Sequence, residues 1–155
     1  MSLLLSPVGL ENRRDYLQLL LIADESAEAV NQYINEGDMF SIKFNDHLAG
    51  VLLFTPVKEG ILELKNIALS SDCRGRGLGK ASIYEALSYY RRKGVKKVIV
   101  GTANSSIDNI AFYQKAGFRM YDIKRGFFLK YPEPIYENGI RALDMLMFEK
   151  DLFQD

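Results

Sequence analysis

The order of elements along this chain predicts a mixed α/β fold built on a central sheet. Three observations predict it. The first half reads as one strand, two helices and three strands, with the turn-forming pair Asn45-Asp46 between β-rich runs. The second half alternates strands with helices that each end at a glycine, Gly94 and Gly117. Between those helices, Val98 to Val100 is a short unbroken apolar run, as expected of a strand covered on both faces.

Each element has its own signal. Leu3 to Val8 is short and apolar and reads as the first strand. The segment from Glu11 to Glu36 has helical spacing and divides into helices over roughly Glu11 to Ala23 and Ala27 to Glu36, with Gly37 as the stop. "MFSIKFNDHLAGVLLFTPV" is a hairpin and "GILELKNIALS" a further strand. "GLGKASIYEALSYYRRKG" is an amphipathic helix with Ile83, Leu87 and Tyr90 on one stripe. In "NSSIDNIAFYQKAGF", Ser105 and Asp108 have the spacing of a capping box. "MYDIKRGFFL" and "GIRALDMLMFEKDL" read as the last strands, joined by a loop, "KYPEPIYENG". There is no repeat and no linker, so a single domain over 1–155 is expected.

Bulk composition excludes several classes. The chain of 155 residues is large enough for a real core. Its 20 basic and 20 acidic residues cancel, so no global field favours nucleic acid or an anionic membrane. "YYRRKGVKK" is a local basic run, but cations at a helix C-terminus complement its dipole. The single cysteine, Cys73, forbids an internal disulfide and fits a reducing cytoplasm. No apolar stretch spans a bilayer, and "MSLLLSPVGLENRR" reads as a strand, not a signal peptide. With one cysteine and one histidine, His47, no His/Cys metal site is expected, and no metal cofactor. Cys73 has no histidine partner near it in sequence, so both residues read as bystanders to catalysis.

The chemistry concentrates at "SSDCRGRGLGKASIYEAL". A strand, a glycine-rich loop and a helix start form an anion site, because the first amides of a helix lack internal partners and its dipole favours negative charge. Gly75 and the pair Gly79-Lys80 are too close for a Walker loop, and Ala81 stands where Ser or Thr would bind magnesium. Gly75, Gly77 and Gly79 run G-x-G-x-G, not the G-x-G-x-x-G of a dinucleotide site.

Arg74-Gly75-Arg76-Gly77-Leu78-Gly79 resembles the R/Q-x-x-G-x-G/A loop of the GCN5-related N-acetyltransferases, the GNAT superfamily. "LKNIALSSDCRGRGLG" is similar to the strand-and-loop block of that family. "NIAFYQKAGFR" is similar to its aromatic helix ending Y-x-K-x-G-F. The two blocks cover Leu62 to Phe118, and the chain looks most like small RimI-like bacterial acetyltransferases. The resemblance implies the acyl-CoA N-acyltransferase fold: a mostly antiparallel sheet with one splayed parallel pair, flanked by helices. It implies acetyl-CoA as donor and an amine as acceptor, joined by direct attack through a tetrahedral intermediate. The amides of Arg76 to Lys80 would hold the pyrophosphate, where bulk at Gly77 or Gly79 would block its approach. Arg74, Arg76 and Lys80 would add charge. The edge of the strand at Ile67-Ala68-Leu69 would pair with the pantetheine arm, and the Leu69 N–H would stabilise the oxyanion.

Tyr113 aligns with the general acid of the family. At helical spacing Ser106, Asn109 and Tyr113 share a face, opposite Ile107, Ile110 and Ala111, so Asn109 is a further coenzyme A contact. Glu63 lies four residues before Ile67, in the register of a base used by the histone-acetylating branch; water is the other candidate. The early helices and the loop between the last strands would build the acceptor site. Their acids, with Tyr131 and Tyr136, suit a cationic amine such as a lysine, a protein N-terminus or a polyamine. A non-catalytic acyl-CoA-binding module of the same fold is the competing reading. A monomer and a homodimer both fit the apolar C-terminal run "LMFEKDLF".

Overall fold

The computed structural model describes residues 2–154. Its centre is one seven-stranded sheet. Strand β1 (Leu3–Pro7) leads through a 3₁₀ turn, Leu10–Tyr16, into helices α1 (Leu17–Ala23) and α2 (Ala27–Tyr33). Strands β2 (Asp38–Phe44), β3 (His47–Lys58) and β4 (Ile61–Leu69) follow, then helix α3 (Leu78–Arg92), β5 (Lys97–Ala103) and helix α4 (Ile107–Lys115). The chain closes with β6 (Arg119–Lys124), a small β7 (Tyr136–Glu137) and β8 (Ile140–Arg141) hairpin, and β9 (Met145–Asp151). The large sheet has the order β1-β2-β3-β4-β5-β9-β6. Every neighbouring pair is antiparallel except β4 and β5, the expected parallel pair.

Two apolar layers cover the sheet. On one face Phe40, Leu52, Phe54, Leu64 and Val100 pack with Ile83, Leu87 and Tyr90 of α3 and Tyr113 of α4. On the other, Met39, Val51, Leu53 and Ala68 pack with Leu20 of α1 and Val30 of α2. Alternation along β3 feeds both layers, which is why its centre is buried throughout.

Several local expectations are corrected. Glu11 to Ala23 is not one helix. Arg13 turns inward, nearly buried, and its guanidinium donates to the carbonyls of Ile34 (3.1 Å), Glu36 (2.8 Å) and Gly37 (2.8 Å), so the first turns tighten to 3₁₀. Helix α2 accordingly stops at Tyr33. The Ser105/Asp108 capping box does not form; the Ser105 and Ser106 hydroxyls donate instead to Glu137 Oε1 of the β7–β8 hairpin, at 3.2 and 2.6 Å. Strand β6 ends at Lys124, because Gly126 adopts φ 73° and its amide donates to Asp144 Oδ1 at 2.8 Å. The supposed loop before β9 contains that hairpin, turned by Asn138 and Gly139, both at positive φ. Asn45 and Asp46 make the expected β2–β3 turn, with φ 51° and 68°. Among the described residues no helix is long and apolar enough to cross a membrane.

Candidate active site

The parallel pair parts almost as soon as it forms. Strands β4 and β5 pair only through Ile61, Leu62 and Glu63 with Lys97, Val98 and Ile99, although β4 runs on to Leu69 and β5 to Ala103. The backbone shows which groups this leaves open. The Ser70 amide donates to the Ala49 carbonyl at 2.8 Å, and the register continues Gly50 to Leu69, Val51 to Ala68 and Leu52 to Ile67. In an antiparallel ladder the directly bonded pairs alternate. Ala68 therefore bonds β3, while the N–H and C=O of Ile67 and Leu69 face away from β3, toward the gap. The Leu69 carbonyl already accepts from Arg74 Nε at 3.3 Å, tying the following loop to the end of the strand.

That loop opens at the same end of β4. Gly75 and Gly77 both have φ 75°, and a Cβ on either would meet nothing within 4 Å. They are glycine for their left-handed backbone, not to avoid a protein contact. Gly79 differs: its φ is ordinary, and a Cβ there would lie 3.3 Å from the Phe112 ring of α4. It lets α3 and α4 approach each other, a reason the sequence reading did not give it. The first bonded amide of α3 is that of Ala81, donating to the Gly77 carbonyl at 3.1 Å. The amides of Leu78, Gly79 and Lys80 before it are the helix's open donors. The Lys80 ammonium lies over the Tyr84 ring, 5.6 Å from its centroid.

Helix α4 stands on the α3 side of the sheet. Tyr113 is 6 % exposed, with Phe112, Phe118 and Phe148 against its ring at centroid distances of 5.3, 6.0 and 5.9 Å. Burial pushes its phenol well above the usual tyrosine range, so it stays protonated at neutral pH. Asn109 is exposed and donates to Thr102 Oγ1 of β5 at 3.3 Å, beside the widening gap. The expected division of α4 faces holds only in part: Ile107 is exposed, but Ile110 packs into the same core as Tyr113. Cys73 is buried in that core, and His47 is exposed in the β2–β3 turn.

A cleft of about 300 Å³ opens on the opposite face, where the strands part. Glu63, Lys65, Gly101 and Met145 form its floor, and Asp24, Tyr33, Glu36 and Tyr131 its walls. Glu63 faces away from Leu62 and Leu64, as alternation predicts. The next residues do not follow alternation, because the register slips between Leu53/Phe54 and their partners Asn66 and Leu64, leaving Lys65 as an extra residue in β4. Asn66 then faces the same helices, donating to the Leu20 carbonyl and the Tyr33 hydroxyl, both at 3.0 Å. Tyr33 in turn donates to Asp24 Oδ2 at 3.0 Å, while the Ser26 amide donates to Asp24 Oδ1 at 3.1 Å. Asp24 is thereby a carboxylate of fixed direction. Burial, and then Asp24, raise the Tyr33 phenol far above its ordinary range; the same two causes raise Tyr131. Sequence reasoning missed Lys65, Asn66 and Tyr33; Tyr136, which it named, is 64 % exposed and outside the cleft. Among the described residues no cluster of His, Cys, Asp and Glu could hold a metal ion.

A helix start with open amides, an open strand edge and a cleft meet where the two parallel strands part. The Acetyltransferase (GNAT) family profile matches residues 10–118. The chain belongs to that family and is an acetyl-CoA-dependent acetyltransferase. It is 36% identical to the N-acetyltransferase YvbK of Bacillus subtilis over 146 residues, 94% of each chain. A GNAT family acetyltransferase from Elizabethkingia anophelis, solved with acetyl-CoA bound, superposes with a TM-score of 0.89 at 35% identity, covering 96% of this chain and 97% of the other. A Bacillus subtilis acetyltransferase in complex with CoA gives 0.89 at 34% identity, covering 97% and 99%.

Proposed function

We propose that the protein transfers the acetyl group of acetyl-CoA directly to a primary amine that enters through the Glu63 cleft. The observation that carries this reading is the parting of β4 and β5, which leaves one unpaired strand edge between the glycine loop and the cleft. Acetyl-CoA supplies the activated thioester. The amides of Leu78, Gly79 and Lys80 are suited to its phosphates, with Arg74 and Arg76 adding charge. The outward groups of Ile67 and Leu69 are suited to the pantetheine amides.

The chain's own residues divide the remaining work. A backbone N–H on the open edge donates to the oxygen that gains charge during attack; Leu69 is our assignment, and Ile67, nearer Glu63, offers an equivalent group. Glu63 lies four residues before Ile67, on the order of 12 Å along a strand, so we assign it as a base acting through one bridging water. Tyr113, kept protonated by burial, is the donor to the departing thiolate. Asp24, Glu36, Tyr33 and Tyr131 favour a cationic acceptor, which loses its proton only at Glu63.

The test is thiol release from acetyl-CoA against a panel of primary amines: lysine-bearing peptides, free peptide N-termini and polyamines. At least one amine should release thiol and gain one acetyl in equal amounts. Acetyl-CoA binding with no release above background for any amine would leave a binding module.

A further inference from the structure

We propose that the protein acetylates its own Lys65 when no acceptor occupies the cleft. The inference rests on the transferase reading above and adds an internal substrate to it.

The bulge in β4 is the starting point. Alternation puts Lys65 on the same face as Glu63, which lies two residues before it, and the extra residue then keeps Asn66 on that cleft side as well. The Lys65 ammonium then lies 3.9 Å from Glu63 Oε1 and 5.6 Å from the Tyr33 ring centroid. That is where the entering amine of the proposed reaction must stand: beside the base, against an aromatic wall, in the cleft between the parted strands. The contact does not lock it. A charge-assisted hydrogen bond is about 2.8 Å long, and this pair is longer, with the lysine side chain 38% exposed. The open N–H of Ile67 is only two residues on, about 7 Å along the strand, a distance of the order of one extended lysine arm.

The step balances without a further reagent. Lys65 Nζ gives a proton to Glu63, directly or through water, and its lone pair attacks the acetyl carbonyl carbon. The C–N bond forms, its nitrogen loses its second proton to water, and the C–S bond breaks; coenzyme A leaves as a thiol carrying the proton supplied by Tyr113, whose phenol is restored by a proton from water. The product is a neutral amide in the cleft. It removes the cation that pairs with Glu63 and fills space an acceptor would use.

The cleft carries its own control. Lys130 lines the same cleft, but its ammonium lies 3.9 Å above the Phe127 ring and, among the described residues, pairs with no carboxylate. An enzyme-directed reaction selects Lys65 over Lys130, whereas solution acetylation follows exposure and has no such preference.

The experiment incubates the whole protein with acetyl-CoA and no amine, then maps acetylated peptides by mass spectrometry. The same preparation is run against the amine panel. The expected result is one acetyl per chain, on Lys65, at a rate independent of protein concentration. Lys65→Arg, which keeps the charge and the Tyr33 contact, should take up none. Gly77→Asp, weakened in acetyl-CoA binding, should label at least tenfold more slowly. Label spread over exposed lysines, label on Lys130, or equal labelling of Gly77→Asp would overturn the proposal. An amine turned over with Lys65 unlabelled would overturn it while leaving the transferase reading intact. Acetyl-CoA bound with neither product would overturn both.

Discussion

At the residue scale, the proposed chemistry depends on three groups that do different things to a proton or a charge. Tyr113→Phe keeps the ring against Phe112, Phe118 and Phe148 and removes only the donor. Turnover should fall roughly ten- to a thousandfold with acetyl-CoA affinity little changed, measured as initial rate beside a binding titration. Unchanged turnover would make Tyr113 a packing residue. Glu63→Gln should lose rate at neutral pH by at least about tenfold and recover as rising pH supplies free amine. A variant with the parent's pH–rate profile would leave water alone as the proton acceptor. Gly77→Asp separates fold from binding. Asp tolerates a left-handed backbone, and a Cβ at that position meets nothing within 4 Å, so the variant should fold. Its carboxylate at the start of α3 should weaken acetyl-CoA binding at least tenfold, about 1.4 kcal/mol. Calorimetric titration giving parental affinity in the folded variant would remove the loop from the phosphate site. Gly79 is the poorer test, because Phe112 packs against it.

At the element scale, what was legible in sequence was what local pattern controls. The β2–β3 turn followed from Asn45-Asp46, and the side of β4 that carries Glu63 followed from alternation with Leu62 and Leu64. The glycine loop was legible as the junction between β4 and α3, although only Gly75 and Gly77 are glycine for their backbone. What failed was set by distant partners. Nothing near Arg13 indicates that its guanidinium binds carbonyls more than twenty residues on. Nothing near Ser106 indicates that Glu137 reaches it. A bulge at Lys65 inverts the facing of everything after it, and β3's residues give no local sign of where the slip falls. Arg13 therefore matters to the cleft from outside it, since it holds the turn that presents Glu36 and ends the helix carrying Tyr33. Arg13→Ala should cost about 2–4 kcal/mol, because it leaves enclosed carbonyls unpaired. Chemical denaturation would measure it, and a loss under about 0.5 kcal/mol would mean that water replaces the guanidinium.

At the scale of the whole molecule, buried phenols tie the two helical layers to the sheet. Burial raises Tyr33, Tyr90 and Tyr113 far above the ordinary tyrosine range; Tyr90 also donates to Asp38 Oδ2 at 2.7 Å. A folded pKa above the unfolded value means that their contribution is fully present below pH about 10 and lost as pH rises beyond it. Alkaline titration should show these phenolates appearing only together with unfolding, after the exposed tyrosines. A single ordinary titration of all nine tyrosines would contradict that packing.

The same backbone supplies the most direct test of the parted strands as the acetyl-CoA site. Amide hydrogen exchange, read residue by residue with and without saturating acetyl-CoA, distinguishes the two edges of β4. Ala68 bonds β3 and should exchange slowly in both states. Ile67 and Leu69 face the gap, and their exchange should slow when acetyl-CoA is added, together with Leu78, Gly79 and Lys80 at the start of α3. Saturation with acetyl-CoA that leaves the Ile67 and Leu69 amides unprotected would contradict the assignment of that edge as the pantetheine site.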